Sequence, residues 1–370
     1  MNEAKATRYQ RLRRRAQAFG RLAAGSVLAV FAFTPVGPLT WAAAASAAPR
    51  LPAPAAAGVA LLLFVAVVLT ACAAAVFPTC IRPVRRIDAA YGRAGDARRG
   101  AGLPAALFVL TATTAAAVVV LASARAAGAA WWLVSAAVIA AGVVVAGRYG
   151  PALLDRGAVR PLGRPELEGR ISALAARAGV PVSSIQEWVD GETSSTIATI
   201  TGVGASRRVL LSSEVAREWP DDEVTVIVAH ELAHHVHRDV LRTMALDAVI
   251  LAAGLLAADV VLGLLEGSVG LRGPGHPASL PAVAFVASAV WLAATPIRHA
   301  QSRRQERRAD RWALARTGHA HAFSSAIRRA SARRMADENP GLLTRVLYHR
   351  HPPVVERLEL AARYLQEQQN

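Results

Sequence analysis

Residues 220–239 read PDDEVTVIVAHELAHHVHRD, and this stretch decides how the rest of the chain is interpreted. Its leading proline and the acidic pair that follows predict a helix start at Asp221, because a fixed φ and negative charge both suit a helix N-terminus. Apolar residues then recur at helical spacing, at Val224, Ile227 and Val228. The stretch is therefore predicted to be a helix with one buried face.

Two histidines on this helix, His230 and His234, are one turn apart and point the same way, as two imidazoles must do to bind one metal ion. Glu231 projects about 100° around the helix from His230, close enough to reach a water at such a metal without binding the metal itself. The run His230-Glu-Leu-Ala-His234 matches the zinc-hydrolase signature. The alternative is a charged, solvent-facing helix that happens to carry histidines, and the predicted helix start weakens it.

The composition is that of a membrane protein rather than of an ordinary soluble enzyme. Hydrophobic residues make up 54% of the 370 residues and are gathered in long runs. The formal charge of +16 comes almost wholly from arginine, since Lys5 is the only lysine. These arginines lie at the ends of apolar runs, where a membrane explains them better than nucleic acid. Cys72 and Cys80 lack ligand-spaced partners and are expected to be packing residues.

Six apolar runs have the length of membrane spans, at about residues 22–48, 51–77, 104–123, 128–147, 244–265 and 280–297. The first follows a basic segment and resembles a secretory signal, but an uncleaved anchor is favoured because a second span follows almost at once. Pro78 is expected to end the second run, and the third and fourth to form a helical hairpin. Asp259, inside the fifth, is expected to be a packed or interface polar group.

Basic residues are concentrated on one side of these spans. Residues 1–21 hold seven and residues 79–103 hold six, whereas the intervening turns hold one each. This asymmetry predicts a multi-pass protein of the cell membrane whose N-terminus and soluble segments are cytoplasmic. The chain then divides into a membrane region with four spans, a first soluble part, two further spans and a second soluble part, at residues 1–148, 149–243, 244–297 and 298–370.

The first soluble part is predicted to mix helix and strand. Residues 165–179 have the periodicity of an amphipathic helix that stops at Gly179. Strand-like runs separated by turn residues follow at Ser184–Val189, Thr196–Thr201 and Arg207–Leu211. The histidine helix comes directly after them.

Two histidines do not complete a catalytic zinc site, which usually has three protein ligands and a water. A third histidine six residues after His234 is absent, because that position is valine. The alternative is a glutamate on a later helix, and Glu306 and Asp310 are one turn apart on a helical segment that stops at Gly318. Glu306 could bind the metal while Asp310 accepts a hydrogen bond from a ligand histidine. The other interpretation of this segment is a solvated face with internal ion pairs.

Three segments together carry a family resemblance: His230-Glu-Leu-Ala-His234-His-Val-His237, Glu306-Arg-Arg-Ala-Asp310 onward to Gly318, and His351-Pro-Pro-Val-Val-Glu-Arg357-Leu. Over roughly residues 160–365 the chain resembles the integral-membrane zinc metallopeptidases of the CAAX prenyl protease and HtpX heat-shock protease type. The resemblance implies a mainly α, polytopic membrane protein with a cytoplasmic α+β zincin-like metallopeptidase domain containing a small sheet.

The resemblance also implies roles for particular residues. One Zn²⁺ per chain would be bound by His230, His234 and Glu306. Glu231 would be the general base, and Asp310 would support the ligands. His351 and Arg357 would lie beside the substrate carbonyl and help to stabilise the oxyanion.

A substrate-binding strand is implied at Thr196, Ile197, Ala198, Thr199, Ile200 and Thr201. Family members commonly have an Asn-Ala pair five and four residues before the glycine of this strand, whereas Ile197 and Ala198 precede Gly202 here. An edge strand at this place could still bind a substrate through backbone hydrogen bonds.

These observations favour a membrane-embedded zinc endopeptidase that cleaves membrane-associated or misfolded polypeptides at the cytoplasmic face. The expected partners are a polypeptide substrate and the lipid bilayer, not nucleic acid. A CAAX-type processing protease and a regulatory sensor protease are alternatives, although the outer turns are too short for a receptor domain. An intramembrane-cleaving protease would place the His-Glu motif inside a span. The non-enzymatic alternative is an inactive membrane scaffold or chaperone.

Overall fold

The computed structural model describes residues 4–47, 52–93, 103–154, 159–188, 197–202, 204–268 and 271–369, which are mostly helical with one small sheet. Contacts divide the chain into two units. The mixed unit, which contains the sheet, comprises residues 1–11, 143–245 and 296–370, and the helical unit comprises residues 12–142 and 246–295.

The helices are numbered in chain order. They are α1 (Lys5–Phe33), α2 (Val36–Ser46), α3 (Ala53–Val76), α4 (Arg82–Ala90), α5 (Leu103–Ala127), α6 (Trp131–Leu154), α7 (Pro165–Arg177), α8 (Ser213–Glu218), α9 (Asp221–Val236), α10 (Asp239–Leu264), α11 (Leu280–Ala293), α12 (Thr295–Thr317), α13 (Ala320–Arg334), α14 (Leu342–Tyr348) and α15 (Val354–Gln369).

The sheet of the mixed unit has four strands: β1 (Val159–Pro161), β2 (Ser184–Trp188), β3 (Ala198–Thr201) and β4 (Arg208–Ser212). Their order is β1-β2-β4-β3, with β2 and β4 parallel and both outer pairs antiparallel. Among the described residues β3 therefore pairs on one side only. The three strands predicted from the sequence are present with shifted ends, and Val189 and Thr196 lie outside the described residues.

The core of the mixed unit forms where α7 and α9 pack with the sheet. Leu167, Ile171 and Leu174 of α7 are fully or almost fully buried, as their helical spacing predicts. Helix α9 begins at Asp221 after a proline, with three acidic residues in its first turn, and this agrees with the predicted start. It ends at Val236, because Arg238 adopts a left-handed backbone with φ of 54°.

Four helical segments among the described residues are long and apolar enough to cross a membrane: Lys5–Phe33, Ala53–Ala90, Ala105–Gly147 and Asp239–Leu264. A fifth is present if Pro277–Ala293 and Thr295–Thr317, which meet at a bend of 47°, are counted as one span. The hydropathy pattern of the sequence predicts six spans because the third of these segments contains two apolar runs. That segment has 43 residues, roughly 65 Å of helix, or about twice the bilayer core. The count of six stays a prediction.

Three of the apolar runs differ in detail from their predicted form. The first is broken at Pro35, and its helix α1 already begins at Lys5. Pro78 does not end the second run, because a π-helical turn over Phe77–Ile81 carries the helix on into α4. A wider turn accommodates the proline ring and its missing N–H, which an ordinary α-helical turn does not. The sixth run ends its helix α11 at Ala293, before the bend.

Asp259 has a defined partner inside the helical unit. Nε1 of Trp131, a side chain that is 1% exposed, donates a hydrogen bond of 2.6 Å to Oδ1 of Asp259. A buried indole N–H needs such an acceptor. Asp259 is thus a packed polar group, as the sequence analysis expected.

Candidate metal centre

The structure brings together the three side chains that the sequence analysis proposed as metal ligands. His230 and His234 lie on α9 and Glu306 lies on α12, and one candidate ligand atom from each lies within 4.8 Å of the other two. The two Nε2 atoms are 3.3 Å apart. The Glu306 carboxylate lies 3.3 Å from Nε2 of His230 and 3.6 Å from Nε2 of His234.

The polar atoms of this cluster fit a zinc ion. Oε2 of Glu306 is buried and lies 3.3 Å from Nε2 of His230 and 2.8 Å from Nδ1 of His351. This carboxylate oxygen therefore faces imidazole nitrogens rather than solvent. Two imidazole nitrogens and one carboxylate oxygen are a donor set that catalytic Zn²⁺ accepts, with a fourth position left open.

Each histidine is oriented by a buried aspartate on its far side. Nδ1 of His230 lies 2.9 Å from Oδ1 of Asp310, and Nδ1 of His234 lies 2.9 Å from Oδ2 of Asp239. Asp310 is 1% exposed and Asp239 is 3% exposed. A carboxylate at Nδ1 fixes the proton there and leaves Nε2 as the ligand atom.

Asp239 was given no role by the sequence analysis. It opens α10, five residues after His234, and an acidic first residue of a helix is most simply explained by the helix dipole. In the structure its carboxylate also contacts Arg308, and its carbonyl oxygen accepts a hydrogen bond of 3.3 Å from Gln305. Both partners lie on α12, far from Asp239 in the sequence. Apart from the acidic residue itself, the local sequence therefore did not indicate a role for Asp239.

Arg357 faces Asp310. Its Nε and Nη2 donate hydrogen bonds of 2.8 and 2.5 Å to the two carboxylate oxygens of Asp310. The guanidinium also lies over the ring of Phe323, 5.8 Å from its centroid. The resemblance implied a place beside the substrate carbonyl, whereas this geometry makes Arg357 the partner that holds Asp310 against His230.

His351 lies at the exposed side of the cluster. Its Nδ1 is 2.8 Å from Oε2 of Glu306, and its side chain is 53% exposed. Glu231 lies on α9 between the two ligand histidines and is partly exposed. Both side chains are therefore placed where a substrate could reach them.

Charge and burial shift the acid–base properties of this cluster. Burial raises the pKa of Glu231, and the neighbouring His230 and His234 act in the opposite sense. Burial by itself would lower the pKa of His230, but hydrogen bonds to Asp310 and Glu306 raise it to about 10. Burial would raise the pKa of Glu306, yet contacts with His230 and His351 hold it well below its usual range.

Strand β3 offers backbone groups at an open edge. The Ser212 N–H donates a hydrogen bond of 3.0 Å to the Ile197 carbonyl, so antiparallel alternation turns the N–H and C=O groups of Ala198 and Ile200 away from β4. Ile197 and Ala198, which stand at the Asn-Ala positions, are buried in the core. His235 connects this strand to α9: burial lowers its pKa, while a hydrogen bond to the backbone of Ile200 acts in the opposite sense.

The remaining histidines have other contacts. Nδ1 of His237 lies 2.7 Å from the Ala233 carbonyl oxygen, and Nδ1 of His299 lies 3.2 Å from that of Val346. Among the described residues, His230, His234 and Glu306 form the only group of three side chains able to hold a metal ion.

A His-Glu helix, a carboxylate on a later helix, a small mixed sheet and several span-length apolar helices define a membrane metallopeptidase of the CAAX prenyl protease and HtpX type. The chain belongs to peptidase family M48, whose family model matches residues 161–364. Its family is thus one of peptidases, and four helical segments in the described part of the chain are long and apolar enough to cross a membrane.

Individual relatives agree with this family. The chain is 28% identical over 206 residues to the uncharacterized metalloprotease YhfN of Bacillus subtilis, covering 54% of this chain and 48% of that protein. It is 30% identical over 174 residues to a protease HtpX homolog of Nostoc sp. (strain PCC 7120), covering 46% and 59%. The matches thus span about half the length of these curated relatives.

A solved structure shares the fold over a larger part of the chain. The crystal structure of S. mikatae Ste24p matches with a TM-score of 0.72, covering 88% of this chain and 81% of that protein. The sequence identity is 17%, so this likeness concerns the fold alone.

Proposed function

We propose that this protein is a zinc-dependent endopeptidase that cleaves membrane-associated or misfolded polypeptides at the cytoplasmic face of the cell membrane. The observation that carries the proposal is the convergence of His230, His234 and Glu306 on one point, with a buried aspartate behind each histidine. Such a set of three protein ligands leaves a fourth position open for chemistry.

When bound by these side chains, Zn²⁺ would polarise the scissile carbonyl and lower the pKa of a water molecule at the open position. Glu231 would take the proton from that water and pass it to the leaving amine. Its partial exposure between the two ligand histidines suits both transfers, because the carboxylate must reach first the water and then the substrate nitrogen.

His351 and Arg357 would have different roles. The exposed His351, whose Nδ1 lies 2.8 Å from Glu306, could donate a hydrogen bond to the oxyanion that develops from the scissile carbonyl. Nε and Nη2 of Arg357 are already engaged with Asp310. We therefore assign it to positioning: it keeps Asp310 ionised and against His230 while the ligand set is assembled.

The substrate would bind as an extended strand along β3. The outward N–H groups of Ala198 and Ile200 and the C=O group of Ala198 can pair with a peptide backbone of any sequence, while the Ile200 carbonyl accepts a hydrogen bond from His235. Backbone pairing favours unfolded or extended polypeptides over folded ones, which supports a quality-control substrate class. The cytoplasmic placement rests on the excess of arginine in one set of segments between the apolar runs.

The test uses the purified full chain in detergent with an unfolded model protein as substrate. We expect cleavage by the native protein, its loss on treatment with a zinc chelator, and its return on adding zinc. His234→Ala should lose both bound zinc and cleavage. His319→Ala, a change of the same kind at an exposed histidine 3.9 Å from Asp222, serves as the control and should keep both. Cleavage that survives complete removal of metal would overturn the proposal.

A further inference from the structure

The helical unit brings two basic segments together at one helix crossing. Gly20 of α1 lies against Cys80 in the π-helical turn, so closely that a Cβ built at Gly20 would be 2.5 Å from the Cβ of Cys80. Small residues permit such close approach of two helices in a membrane. An ion pair adds a second link, because Nε of Arg13 lies 3.5 Å from the buried carboxylate of Asp88 on α4.

Five arginines flank this crossing and are all exposed; we refer to them as the arginine collar: Arg15, Arg21, Arg82, Arg85 and Arg86. Within the part of the chain that the structure describes, none of the five forms an ion pair. Acidic residues cannot neutralise them locally, since Asp88 is the only aspartate or glutamate between positions 4 and 93 and it is already engaged with Arg13. The positive charge of the collar is therefore available to bind an anionic partner.

Large apolar side chains adjoin the collar and are also exposed. Phe19 is 62% exposed, Leu22 67%, Phe77 50% and Ile81 37%. Phe19 lies one helical turn from Arg15, and Ile81 lies one helical turn from Arg85. Exposed apolar and basic side chains are therefore neighbours on the same helix faces. Exposed apolar side chains beside unpaired arginines are typical of the boundary between the hydrocarbon core and the lipid headgroups.

We propose that the arginine collar binds the phosphate headgroups of anionic phospholipids. Guanidinium groups donate paired hydrogen bonds to phosphate oxygens. In a zwitterionic lipid, the cationic group of the headgroup shields the phosphate from such donors. A nucleic acid would also match the charge, but it would leave the adjoining apolar side chains in water. Anionic lipid satisfies both parts of the surface, and the site is separate from the metal ligands, which belong to the mixed unit.

The experiment measures lipid binding to the purified full chain by native mass spectrometry, with phosphatidylglycerol or phosphatidylcholine added in titration. The collar variant Arg82→Gln/Arg85→Gln/Arg86→Gln is compared with Arg177→Gln/Arg311→Gln/Arg363→Gln. The second set removes three exposed arginines of the mixed unit, which likewise form no ion pair among the described residues. A third variant, with lysine at positions 82, 85 and 86, keeps the charge and shows whether the segment still folds.

The native protein should bind phosphatidylglycerol more tightly than phosphatidylcholine. One basic residue near an anionic surface changes affinity by about fivefold, so the collar variant should lose about tenfold or more in affinity for phosphatidylglycerol. The control should stay within about twofold of the native protein. The lysine variant, which keeps the charge but loses the paired hydrogen bonds, should bind more weakly than the native protein and more tightly than the glutamine variant. Equal loss in the control would overturn the proposal by showing an effect of net charge alone. It would also be overturned if the collar variant bound normally or if the native protein failed to distinguish the two lipids.

Discussion

Oδ1 of Asp310 lies 2.9 Å from Nδ1 of His230. This contact places a buried carboxylate behind the nitrogen that does not face Glu306, and it connects the ligand to the bidentate pair with Arg357. Arg357 lies on helix α15, so its contact with Asp310 connects this helix to the ligand His230. The position of α15 thus affects the position of the ligand. The same principle acts at the other ligand, where Asp239 lies behind His234.

Asp310→Asn is expected to weaken zinc binding by about 10- to 100-fold, because the neutral amide no longer fixes the imidazole or raises its basicity. Zinc affinity measured by competition with a chromophoric chelator checks this. Asp222→Asn, at an exposed carboxylate of the same unit, is the matched control and should leave the affinity unchanged. Unchanged affinity in Asp310→Asn would show that the aspartate does not orient His230.

Arg357→Met is expected to destabilise the protein by about 3–5 kcal/mol, because it leaves the carboxylate of Asp310 buried without its cation. The double variant Asp310→Asn/Arg357→Met should recover part of this loss, since no unpaired charge remains. Thermal unfolding of the native protein, the two single variants and the double variant measures the effect. If the two single changes were simply additive in the double variant, the pair would not be coupled.

Asp239→Asn is expected to reduce zinc affinity by about 10- to 100-fold through His234, independently of Asp310. Since the two aspartates act on different histidines, the loss in Asp239→Asn/Asp310→Asn should equal the product of the two separate losses. The same chelator competition measures it. If the Asp239→Asn protein bound zinc with the native affinity, the contact between Asp239 and His234 would not contribute to zinc binding.

Ile200→Pro removes an N–H that faces the open edge of β3 without removing a ladder hydrogen bond, so the sheet should persist. If substrates pair with this edge, KM should rise by about two- to tenfold, the worth of one backbone hydrogen bond, while kcat changes little. Ile200→Ala shortens the side chain but keeps the N–H, and its KM should stay near the native value. Equal KM values for the proline and alanine variants would place the substrate elsewhere.

Asp259→Leu in the helical unit leaves Nε1 of Trp131 without an acceptor, and it should cost about 1–3 kcal/mol of stability. Asp259→Asn keeps an acceptor oxygen at the same place and should cost much less. Thermal unfolding in detergent compares the two variants. If both were equally destabilised, the charge of Asp259 rather than its hydrogen bond would be the important property.

The local parts of this architecture could be predicted from the sequence. The start of α9 at Asp221 follows from the proline and the acidic first turn, and the pairing of His230 with His234 follows from helical spacing alone. Glu306 could be proposed from its place one turn before Asp310 on a later helical segment, and the family resemblance then implied the same ligand. These features are encoded in short stretches, so one sequence suffices to find them.

The long-range parts could not be predicted in the same way. Arg357 acquires its role from a contact with Asp310, 47 positions away. Asp239 orients His234, five positions away, but Arg308, 69 positions away, also contacts its carboxylate. Pro78 ends a helix under the usual steric rule, but a single π-helical turn provides an exception that periodicity does not reveal. The bend after Ala293 likewise depends on packing rather than on hydropathy, whereas the break of the first run at Pro35 follows from the proline itself.

The most direct test of the account compares the native protein with Glu231→Gln in metal content and in cleavage of an unfolded model substrate. Glutamine keeps the shape of the side chain but cannot accept the proton, and Glu231 is not among the three ligands. We predict about one zinc per chain in both proteins, with cleavage by the native protein alone. A native protein without zinc, or equal cleavage by both proteins, would contradict the assignment of this centre.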